Sequence, residues 1–348
     1  MKKRNLLIIA MIVMLVTVIS LGGCNSGGSK TSSNPPDAAP APAPAAAEGM
    51  SEMGDWLNVA GPIDVKHVGI SFESLHTDFA AVLQSETASL CEARGWTYDV
   101  NEANEDSMTQ VSQCENMIAK GVDLLIIKPN DESSFAPISQ LCQEQNIPLI
   151  ILADRLISPY TISSTSDDYN NGVLSAQDLI AHNPGTLHKT FLLRGPLAAD
   201  VFNLRAEGSI ATLEAAGYEI VYSATTAPIQ DQALAETENF LATSPEIDSI
   251  IAGTDSQAIG AGIAVQEAGL SDQIYIVGID GQVVGATNIL KGGQMNGTLY
   301  LPPELYVRAM FDSIDKLVAG QPYDQDTVLE PEYMDASNVN KFYPDLKV

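Results

Sequence analysis

Short apolar runs alternate with longer amphipathic stretches along the chain from about residue 64 onward. The runs are rich in Ile, Val and Leu, which is typical of buried strands, whereas the stretches repeat apolar residues every three or four positions, as helices do. The predicted strands cover 66–71, 97–101, 124–127, 149–152, 189–193, 219–224, 249–252, 274–279 and 295–300. The clearest predicted helices cover 79–94, 107–120, 170–182, 205–216, 232–243 and 305–319.

One pattern, a helix that ends on glycine and is followed by a strand, recurs four times. Gly95, Gly121, Gly217 and Gly269 stand at the predicted helix ends, where a left-handed residue commonly closes a helix. Regular alternation of strands and helices gives parallel sheets covered by helices on both faces. The body of about 285 residues is long enough for two such lobes. In these sheets ligands bind beyond the carboxyl ends of the strands.

The N-terminal residues have the pattern of an export signal. Three basic residues at positions 2–4 precede an apolar run of about 14 residues, which is shorter than the roughly 20 that a spanning helix needs. The run closes on Leu-Gly-Gly-Cys at 21–24, which resembles a bacterial lipobox. We expect a signal peptide over 1–23 and a lipid on Cys24, the alternative being a transmembrane anchor with an incidental cysteine. Residues 24–63 are rich in Gly, Ser, Ala and Pro and predict a flexible tether.

The charge and the cysteine content limit the kinds of partner and metal that this chain is expected to bind. The net charge is −27 and becomes −30 once the three N-terminal basic residues are removed, which is hostile to nucleic acid. Cys91, Cys114 and Cys142 remain, an odd number without metal-ligand spacing. Cys114 and Cys142 fall on successive predicted helices, so both a disulfide and a pair of buried free thiols are open, and the thiols are favoured. We expect no metal and no cofactor.

Polar side chains follow the predicted strands, at the edge where a ligand would bind. They are Glu73, His76, Asp78, Lys128, Asn130, Asp131, Asp154, Arg155, Arg194, Asn203, Arg205, Thr254, Asp255, Asp280 and Tyr300. Helix caps and solvated loop ends are the alternative reading. It is favoured for Asp255, which precedes an amphipathic stretch and is predicted to cap that helix. It is weaker for Asp154, Arg155 and Asp280, after which no helix is predicted to start at once.

From residue 66 to about 330 the chain resembles the type I periplasmic sugar-binding family, which includes ribose- and galactose-binding proteins. The motifs that carry the resemblance are VGISFE, DFAAVL, QVSQCENMIAKGVDLLIIKPND, NIPLIILADR, TSDDYNNG, LRAEG, IIAGTDSQAIGAGIAVQEAG and IYIVGIDGQ, in the family's order. The resemblance implies two doubly wound, Rossmann-like lobes with parallel sheets, joined by a three-segment hinge near Thr165, Leu301 and Glu330. Lobe 1 would hold 64–165 and 301–330, and lobe 2 would hold 166–300 and 331–348.

The resemblance also implies ligand contacts. Phe79 matches an aromatic residue that stacks on the sugar ring, Asp154 and Arg155 match a pair that binds sugar hydroxyls, and Asp280 matches an Asp of the cleft. Arg205 matches the arginine of the family's Arg-x-Glu-Gly motif, which lies within LRAEG in this chain. Carboxylates and guanidinium forks suit vicinal hydroxyls, and an aromatic ring covers the C–H face of a sugar.

Other positions depart from the family pattern. Asn203 stands where the family usually has Arg, Thr254 where it has Asn, and Tyr300 where it has Gln. A second stacking aromatic is missing, since Pro228 and Ile229 occupy its place. An ordinary pyranose or furanose is therefore not assured as the ligand.

The charge of the ligand stays open between two alternatives. Lys128, Arg155, Arg194 and Arg205 all fall at strand ends, which fits an anionic ligand such as a sugar acid. The alternative is that these cations pair with carboxylates of a crowded cleft. His76 lies in a loop of the same edge and either donates to a ligand or is solvated.

The function expected from these observations is capture of a sugar or sugar-like ligand by hinge closure, as the binding lipoprotein of an ABC importer. Its partners would be the permease subunits and, through the lipid, the outer or periplasmic side of the cell membrane; we expect a monomer. A sensory binding protein that presents ligand to a chemoreceptor or histidine kinase is the first alternative. A hydrolase is a remote one, because no nucleophile-elbow, phosphate-loop or zinc-protease motif occurs.

Overall fold

The computed structural model describes residues 62–197, 199–243 and 245–347. These residues fall within one compact unit of the chain, Glu52–Val348. The predicted signal peptide, Cys24 and all but the end of the predicted tether lie outside the described residues.

Two six-stranded sheets organise this part of the chain. The first sheet has the order β11-β5-β4-β3-β1-β2, and every pairing in it is parallel. Its strands are β1 (His67–Phe72), β2 (Thr97–Glu102), β3 (Leu124–Lys128), β4 (Leu149–Leu152), β5 (Ile162–Ser166) and β11 (Asp326–Leu329). We call this sheet and its helices lobe 1.

The second sheet repeats the arrangement with one change. Its order is β12-β10-β9-β8-β6-β7, and only the edge strand β12 runs antiparallel to its neighbour among the described strands. Its strands are β6 (Lys189–Arg194), β7 (Glu219–Thr225), β8 (Ser249–Ala252), β9 (Tyr275–Asp280), β10 (Gly297–Tyr300) and β12 (Glu332–Asp335). We call this sheet and its helices lobe 2. The predicted fold class, two α/β lobes dominated by parallel sheets, is confirmed.

Helices connect the strands and cover both faces of each sheet. They are α1 (Asp78–Ala93), α2 (Ser107–Lys120), α3 (Ala136–Gln145), α4 (Asp168–His182), α5 (Asp200–Ala215), α6 (Gln230–Leu241), α7 (Asp255–Glu267), α8 (Val283–Leu290), α9 (Pro303–Val318) and α10 (Val339–Phe342). None of the helices in the described ranges combines the length and apolarity that crossing a membrane requires.

The core of each lobe is divided in two by its sheet. In β3, Leu124 and Ile126 pack into one hydrophobic cluster with α1 and α9, whereas Leu125 and Ile127 pack into another with α2 and α3. Side chains of a strand alternate between faces, so a strand covered on both sides must be apolar throughout, as β3 is. Lobe 2 has the same division.

The chain passes from one sheet to the other three times. The passages lie between β5 and α4, between β10 and α9, and between β11 and β12. The Tyr306 hydroxyl of α9 donates to Ser166 Oγ at 3.1 Å, which ties the second passage to the first. The lobe boundaries expected from the sequence remain a prediction, which can be compared with these three passages.

Two local predictions were wrong or incomplete. Asp255 does not cap α7: Thr254 does, accepting the amide of Gln257 at 3.2 Å, and Asp255 is the first helical residue and fully buried. A helix, α8, begins three residues after Asp280, where none was predicted. The described cysteines, including Cys114 and Cys142, are free buried thiols.

Candidate functional site

The carboxyl ends of β1, β3 and β4 bring the first group of polar residues together in lobe 1. Phe72 and Lys128 are paired in register, so the residue after β1, Glu73, reaches the end of β3. Lys128 Nζ lies 2.6 Å from Glu73 Oε1, and the two side chains are only 17% and 18% exposed. Burial raises the pKa of Glu73 despite the attraction of Lys128. The pair is a desolvated ion pair whose second carboxylate oxygen, Oε2, has no donor within the described residues.

Asp154 follows a tight turn at the end of β4. Ala153 has a left-handed backbone with φ of 54°, which turns the chain so that the Arg155 amide donates to Asp154 Oδ1 at 2.8 Å. Burial raises the pKa of Asp154 to about 7, and although Lys128 opposes this rise, Glu132 and Asp168 add to it. Asp154 is therefore a carboxyl group poised between its two protonation states near neutral pH.

Arg155 and Glu132 complete the lobe 1 side. Burial together with the charge of Asp200 raises the pKa of Glu132, whereas Arg155 and Asp154 lower it. Arg155 Nε is buried and has no acceptor among the described residues. Leaving a buried donor without a partner lowers the stability of the fold, so an acceptor that reached Arg155 Nε would be stabilising.

Arg205 of α5 is the centre of the lobe 2 side. It is 7% exposed, its Nε donates to Asp168 Oδ1 at 3.0 Å, and its Nη1 donates to the Gly253 carbonyl at 2.9 Å. Nη1 also lies 3.3 Å from Asp280 Oδ1. The guanidinium thus joins the start of α4 to the ends of β8 and β9. Asp168 was not predicted as a site residue, although it stands in the quoted TSDDYNNG motif.

Asp280 sits at the end of β9 with a φ of 121°. Burial raises its pKa to about 6, against the opposing effect of Arg205. Behind it, Asp255 accepts the Thr298 hydroxyl at 2.6 Å and the Gln282 amide at 2.8 Å. Burial and the nearby Asp280 raise the pKa of Asp255 as well. Of these two buried carboxyl groups, only Asp280 contacts the Arg205 guanidinium directly, and Arg205 lowers the pKa of Asp255 from a distance.

Arg194 and Asn203 form a separate pair at the end of β6. Arg194 Nη2 donates to Asn203 Oδ1 at 2.6 Å, and the Asn203 amide donates to the Leu197 carbonyl at 2.8 Å. Arg194 Nε is buried and lacks an acceptor in the described part of the chain. Thr254 is nearly buried and its hydroxyl serves the cap of α7.

Aromatic residues flank the polar groups. Phe79 packs edge-on against Tyr306, with ring centroids 5.8 Å apart, and contacts the lobe 1 core. In lobe 2, Phe202 lies directly over Gly195, so closely that a methyl on Gly195 would overlap the ring. Phe202 is one residue before Asn203 and was not singled out from the sequence, where the second stacking aromatic was expected near residue 228.

The structure does not bring Tyr300 and His76 into the same group. The Tyr300 ring packs against Phe342 at 4.4 Å and Tyr343 at 5.6 Å between ring centroids. The His76 side chain is 71% exposed, with Nε2 3.8 Å from Glu102 Oε1. Their roles as ligand contacts remain predictions.

The remaining groups form a continuous cluster that spans both lobes, because Asp168 of α4 lies near Lys128 and Asp154 of lobe 1. We call it the cleft network; its members are Glu73, Lys128, Glu132, Asp154, Arg155, Asp168, Arg205 and Asp280. Within the described ranges no three His, Cys, Asp or Glu side chains are arranged to hold a metal ion. The cluster combines carboxylate acceptors, guanidinium donors and unpaired buried atoms, which is what binding of a polyhydroxylated molecule requires.

Comparisons with known proteins agree with this arrangement. The periplasmic binding protein domain matches residues 68–322. The chain is 24% identical over 254 residues to the ribose import binding protein of Haemophilus influenzae, covering 73% of this chain and 86% of that protein. It is 26% identical over 285 residues to the xylitol-binding protein of Mycolicibacterium smegmatis, covering 81% of each.

A solved structure extends the likeness to three dimensions. An ABC transporter periplasmic solute binding protein from Actinobacillus succinogenes, with bound D-allose, superimposes with a TM-score of 0.73 at 25% identity, covering 79% of this chain and 99% of that one. The matched domain spans most of the chain and includes strands of both sheets. This chain therefore belongs to the periplasmic binding protein family, in its type I sugar-binding group.

Proposed function

We propose that this chain is the extracytoplasmic solute-binding lipoprotein of an ABC importer, and that it captures a sugar or sugar-like polyol between its lobes. The observation that carries the proposal is the cleft network, in which groups from both lobes face one another. A ligand bonded to both lobes at once would stabilise the closed arrangement. The relatives named for ribose and xylitol and the neighbour with bound D-allose support this ligand class.

The proposed contacts divide by chemistry. Asp154 and Asp280 accept hydrogen bonds from ligand hydroxyls, whereas the free Nε of Arg155 donates one, since it has no other acceptor in the described part of the chain. Phe79 covers an apolar face of the ligand from lobe 1. The roles of Asn203, Arg205, Thr254, Tyr300, His76 and Lys128 as ligand contacts belong to the same proposal.

A thermal-shift screen of the mature chain against pentoses, hexoses and polyols tests ligand binding. A ligand at 100 times its dissociation constant adds about 2.7 kcal/mol to the free energy of unfolding. Arg155→Met should abolish the shift, because it removes both the charge and the free donor. Arg94→Met is the matched control on the far end of α1, where Arg94 is bonded to Asp315. An unchanged shift in Arg155→Met contradicts the assignment of the cleft.

Import and anchoring need tests of their own. Deletion of the gene should abolish uptake of the solute found in the screen; uptake that persists while a response to that solute is lost contradicts the importer and favours the sensory alternative. For the anchor, an alkyne-tagged fatty acid should label the wild-type chain and not Cys24→Ala. Equal labelling of both chains refutes lipidation at Cys24.

A further inference from the structure

Arg194 stands at the point of lobe 2 where the order of the strands reverses. In the second sheet β6 lies between β7 and β8; the chain continues from β6 to β7 on one side and from β8 to β9 on the other. Such a reversal leaves a crevice beyond the carboxyl ends of the two neighbouring strands, and ligands bind there in open parallel sheets. Leu193 and Ala252 are paired in register, so the residues that follow them, Arg194 and Gly253, border this crevice.

The Arg194 side chain lies beside the cleft network. Arg194, Phe202 and Arg205 line one small cavity of lobe 2, and Arg205 Nη1 donates to the Gly253 carbonyl at 2.9 Å. The Phe202 ring covers the backbone directly after Arg194, at Gly195. Arg194 therefore shares a cavity with Arg205, which belongs to the cleft network, although the two residues come from different elements, β6 and α5.

Arg194 is held in one position and still has an unpaired donor. Its carbonyl oxygen accepts the Thr226 amide at 3.1 Å and Gln257 Nε2 at 3.2 Å, which fixes the backbone. Its Nη2 donates to Asn203 Oδ1 at 2.6 Å, which fixes the guanidinium. The buried Nε has no acceptor among the described residues. A ligand acceptor that reached Nε would supply the missing bond and would order little that is not already ordered.

Asn203 uses both ends of its side-chain amide within the protein. Its Oδ1 accepts from Arg194, and its Nδ2 donates to the Leu197 carbonyl at 2.8 Å. The two bonds have opposite polarity, so a flipped amide would set donor against donor and acceptor against acceptor. This arrangement fits a residue that positions Arg194 better than one that binds a ligand directly.

The charge of Arg194 has no carboxylate partner in the described part of the chain. Its side-chain bond there goes to the neutral Asn203, whereas Lys128 and Arg205 are both ion-paired. A partly buried guanidinium without a counter-ion attracts oxygen acceptors and repels cations. The group of the ligand that meets Arg194 is therefore an acceptor.

We propose that Arg194 is a ligand-binding residue of lobe 2, whose free Nε donates to a hydroxyl or carboxylate oxygen of the ligand, and that Asn203 acts on the ligand by positioning Arg194. The inference rests on the proposed function and changes the part that Asn203 plays in it. Arg155 Nε, after β4, is the corresponding unpaired donor of lobe 1. A ligand with acceptors at both ends thus bonds to one guanidinium of each lobe, which stabilises the closed arrangement.

Calorimetry on the purified full-length chain tests the role of Arg194. The probes are D-ribose, xylitol and D-allose, together with D-glucose, D-galactose and their uronic acids. Arg194→Met should weaken binding of the tightest probe by about tenfold to a hundredfold, as expected for loss of a hydrogen bond from a charged donor. Arg194→Lys keeps the charge and most of the packing but lacks the Nε donor, so it should restore only part of the affinity. A loss confined to the acids identifies the acceptor as a carboxylate, and a loss shared by the neutral sugars identifies it as a hydroxyl.

A control and a double-mutant cycle separate this role from general effects. Lys189→Met removes the same charge from the opposite end of β6, where Lys189 is paired with Glu246, and should keep the wild-type affinity. If Asn203 acts through Arg194, adding Asn203→Ala to Arg194→Met weakens binding no further, although Asn203→Ala alone does weaken it. Additive losses make Asn203 a direct contact and overturn its positioning role.

The outcomes for the inference and for the proposed function are distinct. Wild-type affinity in either Arg194 variant overturns the inference and leaves the proposed function standing. Failure of the wild-type chain to bind any of the probes overturns both.

Discussion

Replacement of Arg205 by methionine tests whether the cleft network holds lobe 2 together. The guanidinium contacts Asp168, Asp280 and the Gly253 carbonyl at 2.9 to 3.3 Å, and it is almost completely buried. Methionine keeps most of the volume but leaves two carboxyl groups buried without a cation. Loss of one partner from a buried ion pair costs about 3–5 kcal/mol.

The penalty should depend on pH. In the native fold burial raises the pKa of Asp280 to about 6, above the 3.8 of an exposed aspartate, so this group reduces stability as pH rises from about 4 to 6. Arg205 opposes that rise, and without it the pKa of Asp280 moves higher. The loss of stability should therefore continue to higher pH in the variant, and the difference from wild type should be larger at pH 8 than at pH 5.

Thermal unfolding at the two pH values measures the effect. For a chain of this size each kcal/mol corresponds to about 2–4 °C in Tm, so a drop of roughly 6–20 °C is expected at pH 8. The control is Lys66→Met, which breaks an ion pair of 2.7 Å with Asp64 whose side chains are both mainly exposed, and should leave the midpoint unchanged. A loss in Arg205→Met no greater than in the control, or one independent of pH, refutes the reasoning.

Three shorter predictions concern the neighbourhood of the site and the core. Asp280→Asn should flatten the stability profile between pH 4 and 6, since it removes the group whose pKa burial raises to about 6; an unchanged slope in pH-dependent unfolding contradicts this. Gly195→Ala should displace the Phe202 ring and cost about 1–3 kcal/mol by overpacking, whereas Gly217→Ala, which has open space around it, tests backbone strain alone. The thiols of Cys114 and Cys142, whose pKa burial raises to about 12, should react with Ellman's reagent only after unfolding; rapid reaction of the native chain shows that the sites open.

The predicted elements agree with the structure where packing follows periodicity. Strand β3 is apolar on both faces and α2 ends on the left-handed Gly121, so both were recognisable from the sequence alone. Strand β5, with the sequence ISSTS, was missed because its polar residues give no apolar run. It is nevertheless completely buried between β4 and β11, and its hydroxyl groups lie where the chain leaves lobe 1.

The polar residues of the candidate site were easier to predict in lobe 1 than in lobe 2. Asp154 and Arg155 follow within three residues of the strongly apolar strand β4, so the sequence placed them at the carboxyl edge of the first sheet. Asp168 reaches Arg205 only through the packing of α4 beside α5, a contact between residues 37 apart that no local pattern encodes. Asp255 was predicted to cap a helix because no local pattern reveals that it is buried. Its burial depends on contacts with Thr298 and Gln282, which come later in the chain.

The return of the chain to lobe 1 has a consequence for synthesis and export. Strands β1 to β5 form most of the first sheet, but its edge strand β11 and the helix α9 on its face come from residues after the whole of β6 to β10. Lobe 1 thus cannot be completed before strands β6 to β10 of lobe 2 have been made, and its contacts span more than 150 residues of sequence, as in the bond from Tyr160 to Asp326. Long-range contacts of this kind slow folding. A chain emerging from the ribosome therefore cannot complete lobe 1 until residues 303–329 have been made, so the first lobe is still unfinished when most of an exported chain has been synthesised.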